Sequence, residues 1–117
     1  MPVRVVAYVP DLLFGSNVVE GLRAAGHEPV LVADPESARR ELANAEVLVV
    51  DLTADAEDRL EAIGGNLPPG VRTLAFYSHV ESDVRESALR AGFDLVVPRS
   101  RMAREGAALV DRLLATG

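Results

Sequence analysis

Apolar residues follow two alternating patterns along the chain. Short runs rich in valine are typical of strands buried on both faces of a sheet. Between these runs, apolar residues recur at helical spacing, which indicates amphipathic helices. The predicted strands are Val3–Val9, Val30–Ala33, Glu46–Asp51, Val71–Tyr77 and Leu95–Val97.

A helix is predicted after each strand, and local signals mark several helix ends. Gly26 and Gly92 are predicted C-terminal caps, Asp34 followed by Pro35 is typical of a helix start, and Ser100 is the predicted N-cap of the last helix. The predicted buried positions are Phe14, Val18, Leu22 and Ala25 in the first helix (Leu12–Ala25), Ala38 and Leu42 in the second, Ala56, Leu60 and Ile63 in the third, Val80, Val84 and Ala91 in the fourth (Val80–Ala91), and Leu109, Val110, Leu113 and Leu114 in the last.

Strict alternation of five strands and five helices favours parallel pairing with right-handed crossovers. The expected fold is therefore α/β: a doubly wound, flavodoxin-like three-layer sandwich around a five-stranded parallel sheet of order 2-1-3-4-5. We expect residues 1–117 to form a single domain.

Composition excludes several classes of function. No apolar stretch approaches the roughly 20 residues that span a bilayer, and no signal-peptide pattern is present, so a cytoplasmic protein without membrane contact is expected. The absence of cysteine excludes disulfides and thiolate chemistry. The formal net charge of −6 argues against nucleic-acid binding. All twelve cationic residues are arginine, and the chain has no lysine.

The predicted fold also locates a candidate site. Ligands of doubly wound sheets bind at the carboxyl ends of the strands, where the strand order reverses between the first and third strands. The polar residues expected at this edge are Asp11 after the first strand, Asp51 at the end of the third, Ser78 after the fourth and Arg99 after the fifth.

This arrangement resembles the receiver domain of two-component response regulators. The resemblance rests on Asp51 after an apolar strand, Ser78 after the fourth strand, Ala91-Gly92-Phe93-Asp94 before the fifth, and Ala24-Ala25-Gly26-His27-Glu28 closing the first helix. It implies a CheY-like fold, with Asp51 as phosphoacceptor and Ser78 as the hydroxyl that senses the phosphoryl group.

Other parts of the receiver pattern are missing. Receivers place two acidic residues after the first strand to hold Mg²⁺, and here Val9 and Pro10 take those positions, with Asp11 one residue beyond. Because Mg²⁺ needs octahedral oxygen ligands, no metal or other cofactor is expected unless Asp11 and Asp51 form a reduced site. The lysine position before a proline in the fifth strand falls on Arg99 or, with the prolines aligned, on Val97. The chain therefore resembles an atypical receiver, or pseudo-receiver.

Each candidate also has a simpler structural interpretation. Asp51 could cap the turn after its strand, Asp11 could cap the first helix, and Ser78 could cap the fourth. Arg99, Arg101 and Arg104 oppose the dipole of the last helix, and local acidic partners would offset this. Leu89 lies opposite the apolar stripe of its helix and is an interface candidate, together with Arg101 and Arg104. In receivers, the fourth helix, fifth strand and fifth helix form the usual partner face.

Three functional hypotheses remain. The first is a stand-alone, non-enzymatic receiver-like module that contacts a protein partner or a second copy through that face, without Mg²⁺-dependent phosphorylation. The second is a non-standard response regulator phosphorylated on Asp51, with Asp11 and Arg99 as substitutes for the missing groups. The third is a flavodoxin-like protein that binds a flavin or another small anion at the same crevice.

Overall fold

The computed structural model describes residues 3–64, 67–78 and 82–115, and strands and helices alternate throughout these ranges. The elements are β1 (Arg4–Tyr8), α1 (Leu12–Ala24), β2 (Glu28–Val32), α2 (Pro35–Leu42), β3 (Val47–Asp51), α3 (Ala56–Gly64), β4 (Arg72–Tyr77), α4 (Ser82–Arg90), β5 (Leu95–Pro98) and α5 (Arg99–Ala115). The predicted alternation is confirmed.

The five strands form one parallel sheet of order β2-β1-β3-β4-β5, as predicted. β3 is its central strand, and all five of its residues are buried. β2 and β5 are the two edge strands, and each contains a proline, Pro29 in β2 and Pro98 in β5. None of the described helices is long and apolar enough to cross a membrane.

Side chains alternate between two core layers because successive residues of a strand point to opposite faces. Val49 of β3 packs with the layer formed by α1 and α5, where Phe14, Leu22 and Met102 are buried. Val50 packs with the opposite layer, which contains residues of α2, α3 and α4. Helices thus cover both faces of the sheet, and the candidate site lies at the carboxyl ends of the strands.

Most of the predicted boundaries hold within one or two residues, but three predicted positions are wrong. Ser100 is not an N-cap, because β5 runs directly into α5 and Arg99 is already helical. Ala25 is exposed, since it is the C-cap of α1, beyond the last buried turn. Ala91 is exposed because α4 ends at Arg90. The predicted start of α4 at Val80 lies outside the described residues.

Gly15 sets how closely α1 approaches the sheet. A Cβ built on Gly15 would lie 2.8 Å from Leu31 Cδ1 and 3.3 Å from the backbone oxygen of Val9. A Cβ built on Gly21 of the same helix would meet nothing within 4 Å. A side chain at position 15 would therefore have to displace Leu31 and would lie close to the Val9 backbone, whereas position 21 has room for a larger residue.

This contrast predicts opposite effects of the same substitution at two positions of one helix. Gly21→Ala should raise the free energy of unfolding by about 0.5–1 kcal/mol, because alanine loses less backbone entropy in a helix. Gly15→Ala should lower it by about 1 kcal/mol, because overpacking outweighs that gain. Urea denaturation of both variants checks this, and a Gly15→Ala protein as stable as Gly21→Ala would contradict it.

Candidate functional site

Asp51 ends the central strand with its side chain almost fully buried, at 5 % exposure. Its Oδ1 accepts two hydrogen bonds from Thr53, one from the backbone N–H at 2.8 Å and one from Oγ1 at 2.5 Å. A carboxylate that bonds the backbone two residues later caps a turn, which is the simpler interpretation predicted for Asp51. The side chain of Thr53 thus bonds Asp51, and Asp55 directly precedes α3.

The second carboxylate oxygen of Asp51 faces Arg59. Arg59 Nη1 lies 3.7 Å from Asp51 Oδ2 and donates a 2.8 Å hydrogen bond to the backbone oxygen of Asp51. The guanidinium carbon is 5.9 Å from the centroid of the Tyr8 ring, within the range of a cation–π contact. The Arg59 side chain is 13 % exposed, so the ion pair is largely shielded from water.

Sequence reasoning missed Arg59, although a signal was present. Arg59 lies on α3 about 60° around the helix from Ala56, at roughly 100° per residue, and therefore borders the predicted apolar stripe. A long cationic side chain at such a border can turn inward or extend into water. In this structure it turns inward, beneath the end of β3 and over Tyr8.

The acids that would hold a metal are not assembled around Asp51. Val9, at the first implied acidic position, is fully buried in the core, and Pro10 takes the second. Asp11 is the N-cap of α1, since its Oδ1 accepts the Phe14 N–H at 3.1 Å. Among the described residues, no group of three or more acidic, histidine or cysteine side chains could hold a metal ion. These residues do not fit an octahedral Mg²⁺ site.

Arg99 is held away from Asp51 by two other contacts. Its Nη2 lies 3.7 Å from Asp11 Oδ2, with both side chains about half exposed. Its guanidinium carbon stacks 4.3 Å from the centroid of the Phe14 ring, and Phe14 in turn packs on Phe76. Two predicted site residues, Asp11 and Arg99, are thus brought together, but as a partner pair beside the crevice.

The strand register helps to decide which residue takes the lysine position. Asp51 pairs with Phe76, and Phe76 pairs with Val97. Val97 therefore lies in the same row as Asp51, followed by Pro98 at the end of β5, whereas Arg99 begins α5. This favours the register that aligns the prolines. Val97 is buried, so an apolar side chain stands where the resemblance implies a lysine.

Ser78 follows β4 and lines an open cavity of about 320 Å³. Arg99 and Ser100 line the same cavity, so it joins the end of β4 to the start of α5. The described part of α4 begins at Ser82, and residues 79–81 lie outside the described ranges, so the predicted capping role of Ser78 remains a prediction.

The interface candidates lie on α4 and α5. Leu89 of α4 is 41 % exposed, in agreement with its predicted position opposite the apolar stripe. Arg101 pairs with Glu105, its Nε lying 3.5 Å from Oε2, which is the kind of local partner expected for this cluster. Arg104 is exposed. Leu13 on α1 is more exposed than Leu89, at 78 %.

Two groups near the crevice have shifted pKa values. Burial raises the pKa of Tyr8, and the nearby Arg59 guanidinium acts in the opposite direction. Asp34, the N-cap of α2, accepts hydrogen bonds from the backbone N–H and the hydroxyl of Ser37, which lower its pKa. Both shifts thus have local causes, which are burial for Tyr8 and hydrogen bonds from Ser37 for Asp34.

Comparison with solved structures identifies the architecture. A response regulator from Thermotoga maritima superposes with a TM-score of 0.81 at 14 % identity, covering 98 % of this chain and 99 % of that one. The phosphorylated cyanobacterial phytochrome response regulator RcpA gives a TM-score of 0.77 at 14 % identity, covering 100 % and 97 %. The chain has the fold of a response-regulator receiver domain.

The receiver fold is shared by proteins with other descriptions. A pilus assembly-related protein from Burkholderia pseudomallei gives a TM-score of 0.79 at 19 % identity, covering 97 % of this chain and 90 % of that one. No protein-family model matches the sequence, and no curated protein matches it significantly. Identities this low establish the fold alone, so the chemistry must be argued from the residues of this chain.

The contacts of Asp51 predict the effect of a change at Thr53. Thr53→Val removes the hydroxyl that bonds the buried Oδ1, and we expect the free energy of unfolding to fall by about 1–2 kcal/mol. Thr53→Ser keeps the hydroxyl and should change it by about 0.5 kcal/mol or less. Chemical denaturation of both variants measures the difference, and equal losses would show that the hydroxyl bond contributes nothing.

Proposed function

We propose that this protein is a receiver-like signalling module that acts by contact with other proteins, without Mg²⁺-dependent phosphorylation. The observation that carries the proposal is the environment of Asp51. Both of its carboxylate oxygens face groups of the protein itself, Thr53 and Arg59, and its side chain is 5 % exposed. A phosphoryl donor needs an accessible carboxylate oxygen and cations that neutralise the transferred charge.

The groups around the crevice support the same proposal. Val9 and Pro10 stand where the resemblance implies two metal-binding acids, and the strand register favours Val97 over Arg99 for the lysine position. Asp11 and Arg99, the predicted substitutes, pair with each other. Among the described residues, the alternative of phosphorylation on Asp51 therefore has neither a cluster of metal ligands nor a second cation within ion-pair distance of the acceptor.

The flavin alternative lacks a suitable surface. Flavin sites usually offer an aromatic side chain that stacks on the ring system. All five aromatic residues of this chain, namely Tyr8, Phe14, Phe76, Tyr77 and Phe93, are buried in the two core layers. Binding a flavin at the strand ends would require one of them to leave the core, at the cost of the area it buries.

Phosphoryl transfer can be tested directly on the purified protein. After incubation with acetyl phosphate and Mg²⁺, we expect the intact mass of the wild-type protein to remain unchanged, because Asp51 is already engaged. Asp51→Asn serves as the matched control. A gain of one phosphoryl mass in the wild type that is absent in Asp51→Asn would overturn the proposal in favour of an unusual response regulator.

The proposed contact uses the face formed by α4, β5 and α5, with Leu89 as its exposed apolar residue. Arg101 and Arg104 on α5 add cationic groups beside it. A face that combines an exposed leucine with arginines matches the composition of protein interfaces, in which arginine is enriched. The proposed partner is another protein molecule. One such partner is a second copy of this chain, and this possibility can be tested with the purified protein alone.

For a homodimer, sedimentation velocity over a range of concentrations should show association that Leu89→Ser weakens roughly tenfold, as expected for losing about 1.5 kcal/mol of apolar burial. Leu13→Ser is the matched control, because Leu13 is more exposed but lies on α1. If both variants weaken association equally, the dimer contact does not depend specifically on the face that contains Leu89. A monomer at every concentration would exclude the homodimer and leave a different protein as partner.

A further inference from the structure

Arg59 has a distinct position among the cations of the candidate site. Its side chain is 13 % exposed, whereas that of Arg99 is half exposed. A buried guanidinium pays a large desolvation cost unless carboxylates or carbonyls receive its donors. Asp51 supplies both kinds of acceptor, the backbone oxygen at 2.8 Å and the carboxylate Oδ2 at 3.7 Å.

Because Asp51 is also buried, its carboxylate depends on Arg59 just as the guanidinium depends on Asp51. A carboxylate that is almost fully buried at the end of a strand is costly unless groups of the protein compensate its charge. Among the described residues, the cation within ion-pair distance of Asp51 is Arg59. The N–H and hydroxyl of Thr53 satisfy Oδ1 but carry no net charge.

Arg59 is also fixed from its other side. The guanidinium carbon lies 5.9 Å from the centroid of the Tyr8 ring, and Tyr8 is buried in β1, the strand next to β3. The aromatic ring and the strand end together hold the planar group between α3 and the sheet. The guanidinium of Arg59 is thus a fixed part of the folded site, whereas a metal ion would bind reversibly.

We propose that Arg59 is the permanent counter-ion of Asp51 and that its charge excludes a second cation from this carboxylate. The inference rests on the proposed metal-independent function and adds the charge of Arg59 to the missing acidic ligands as a second reason for it. A divalent ion approaching Oδ2 would meet a unit positive charge a few ångströms away in a poorly solvated site, where Coulomb repulsion is strong. Arg59 is therefore a positioning residue: it affects metal binding indirectly, through its charge beside Asp51.

The test uses Mn²⁺, whose paramagnetism broadens the NMR signals of nearby amides. In the wild-type protein, the amide signals of Leu52 and Thr53 should broaden no more than those of the rest of the chain. In Arg59→Gln, we expect them to broaden preferentially, with an apparent Mn²⁺ affinity at least roughly tenfold higher, because the repelling charge is gone. Adding Asp51→Asn to Arg59→Gln should abolish this broadening.

Two further variants separate charge from structure. Arg59→Lys keeps the positive charge and should exclude Mn²⁺ as the wild type does. Arg39→Gln is the matched control. Like Arg59, Arg39 donates to a backbone oxygen, that of Ala62 at 3.0 Å, but it does so from an exposed position on α2. We expect Arg39→Gln to behave like the wild type.

Each outcome decides the inference. A folded Arg59→Gln protein without preferential broadening would refute it while leaving the proposed function intact. Preferential broadening at Asp51 in the wild type would refute both. If Arg59→Gln does not fold, the double variant Asp51→Asn/Arg59→Gln decides. A folded double variant shows that Arg59 neutralises the charge of Asp51. An unfolded double variant shows that Arg59 stabilises the fold in another way, and this overturns the inference.

Discussion

The burial of β3 along its whole length is the constraint on which the site depends. The strand lies at the centre of the sheet between β1 and β4, and helices cover both of its faces. A carboxylate at the end of such a strand lies where little water can contact it. Its charge must therefore be balanced by groups of the protein, and the geometry of Thr53 and Arg59 follows from that requirement.

The same constraint supports the proposal that Asp51 takes no part in a reversible reaction. A reactive carboxylate has to exchange partners during a cycle, so its cations must be able to leave. Here the Asp51 oxygens face groups joined to the chain itself. The half-exposed Asp11 and Arg99 pair with each other, and Arg99 stacks on Phe14. The arrangement favours a single state of the strand end.

The fold was predictable from the sequence because its signals are local and repeated. The valine run before Asp51, the Asp34-Pro35 start of α2 and the glycines after α1 and α4 each report on a short stretch of backbone. Together they define the alternation of strands and helices, and the rules for doubly wound parallel sheets then give the strand order. Ser100 was predicted wrongly because nothing local shows that β5 continues into a helix without a connecting residue.

The partners within the site were less predictable, because they depend on side-chain directions across different elements. Asp11 could cap α1 or face the crevice, and only the position of Phe14 N–H decides between the two. Arg59 borders an apolar stripe, and the sequence does not show whether it turns towards β3. The contact of Arg99 with Phe14 requires α1 and α5 to pack side by side, which is a long-range result of folding.

The prolines of the two edge strands have a consequence for how this protein meets others. β2 and β5 have five and four residues, and each contains a residue that lacks a backbone N–H, Pro29 and Pro98. Short edges interrupted by proline are poor templates for the addition of another strand. The edges of the sheet are thereby protected against edge-to-edge aggregation, which agrees with the proposal that contacts use side chains on the helices.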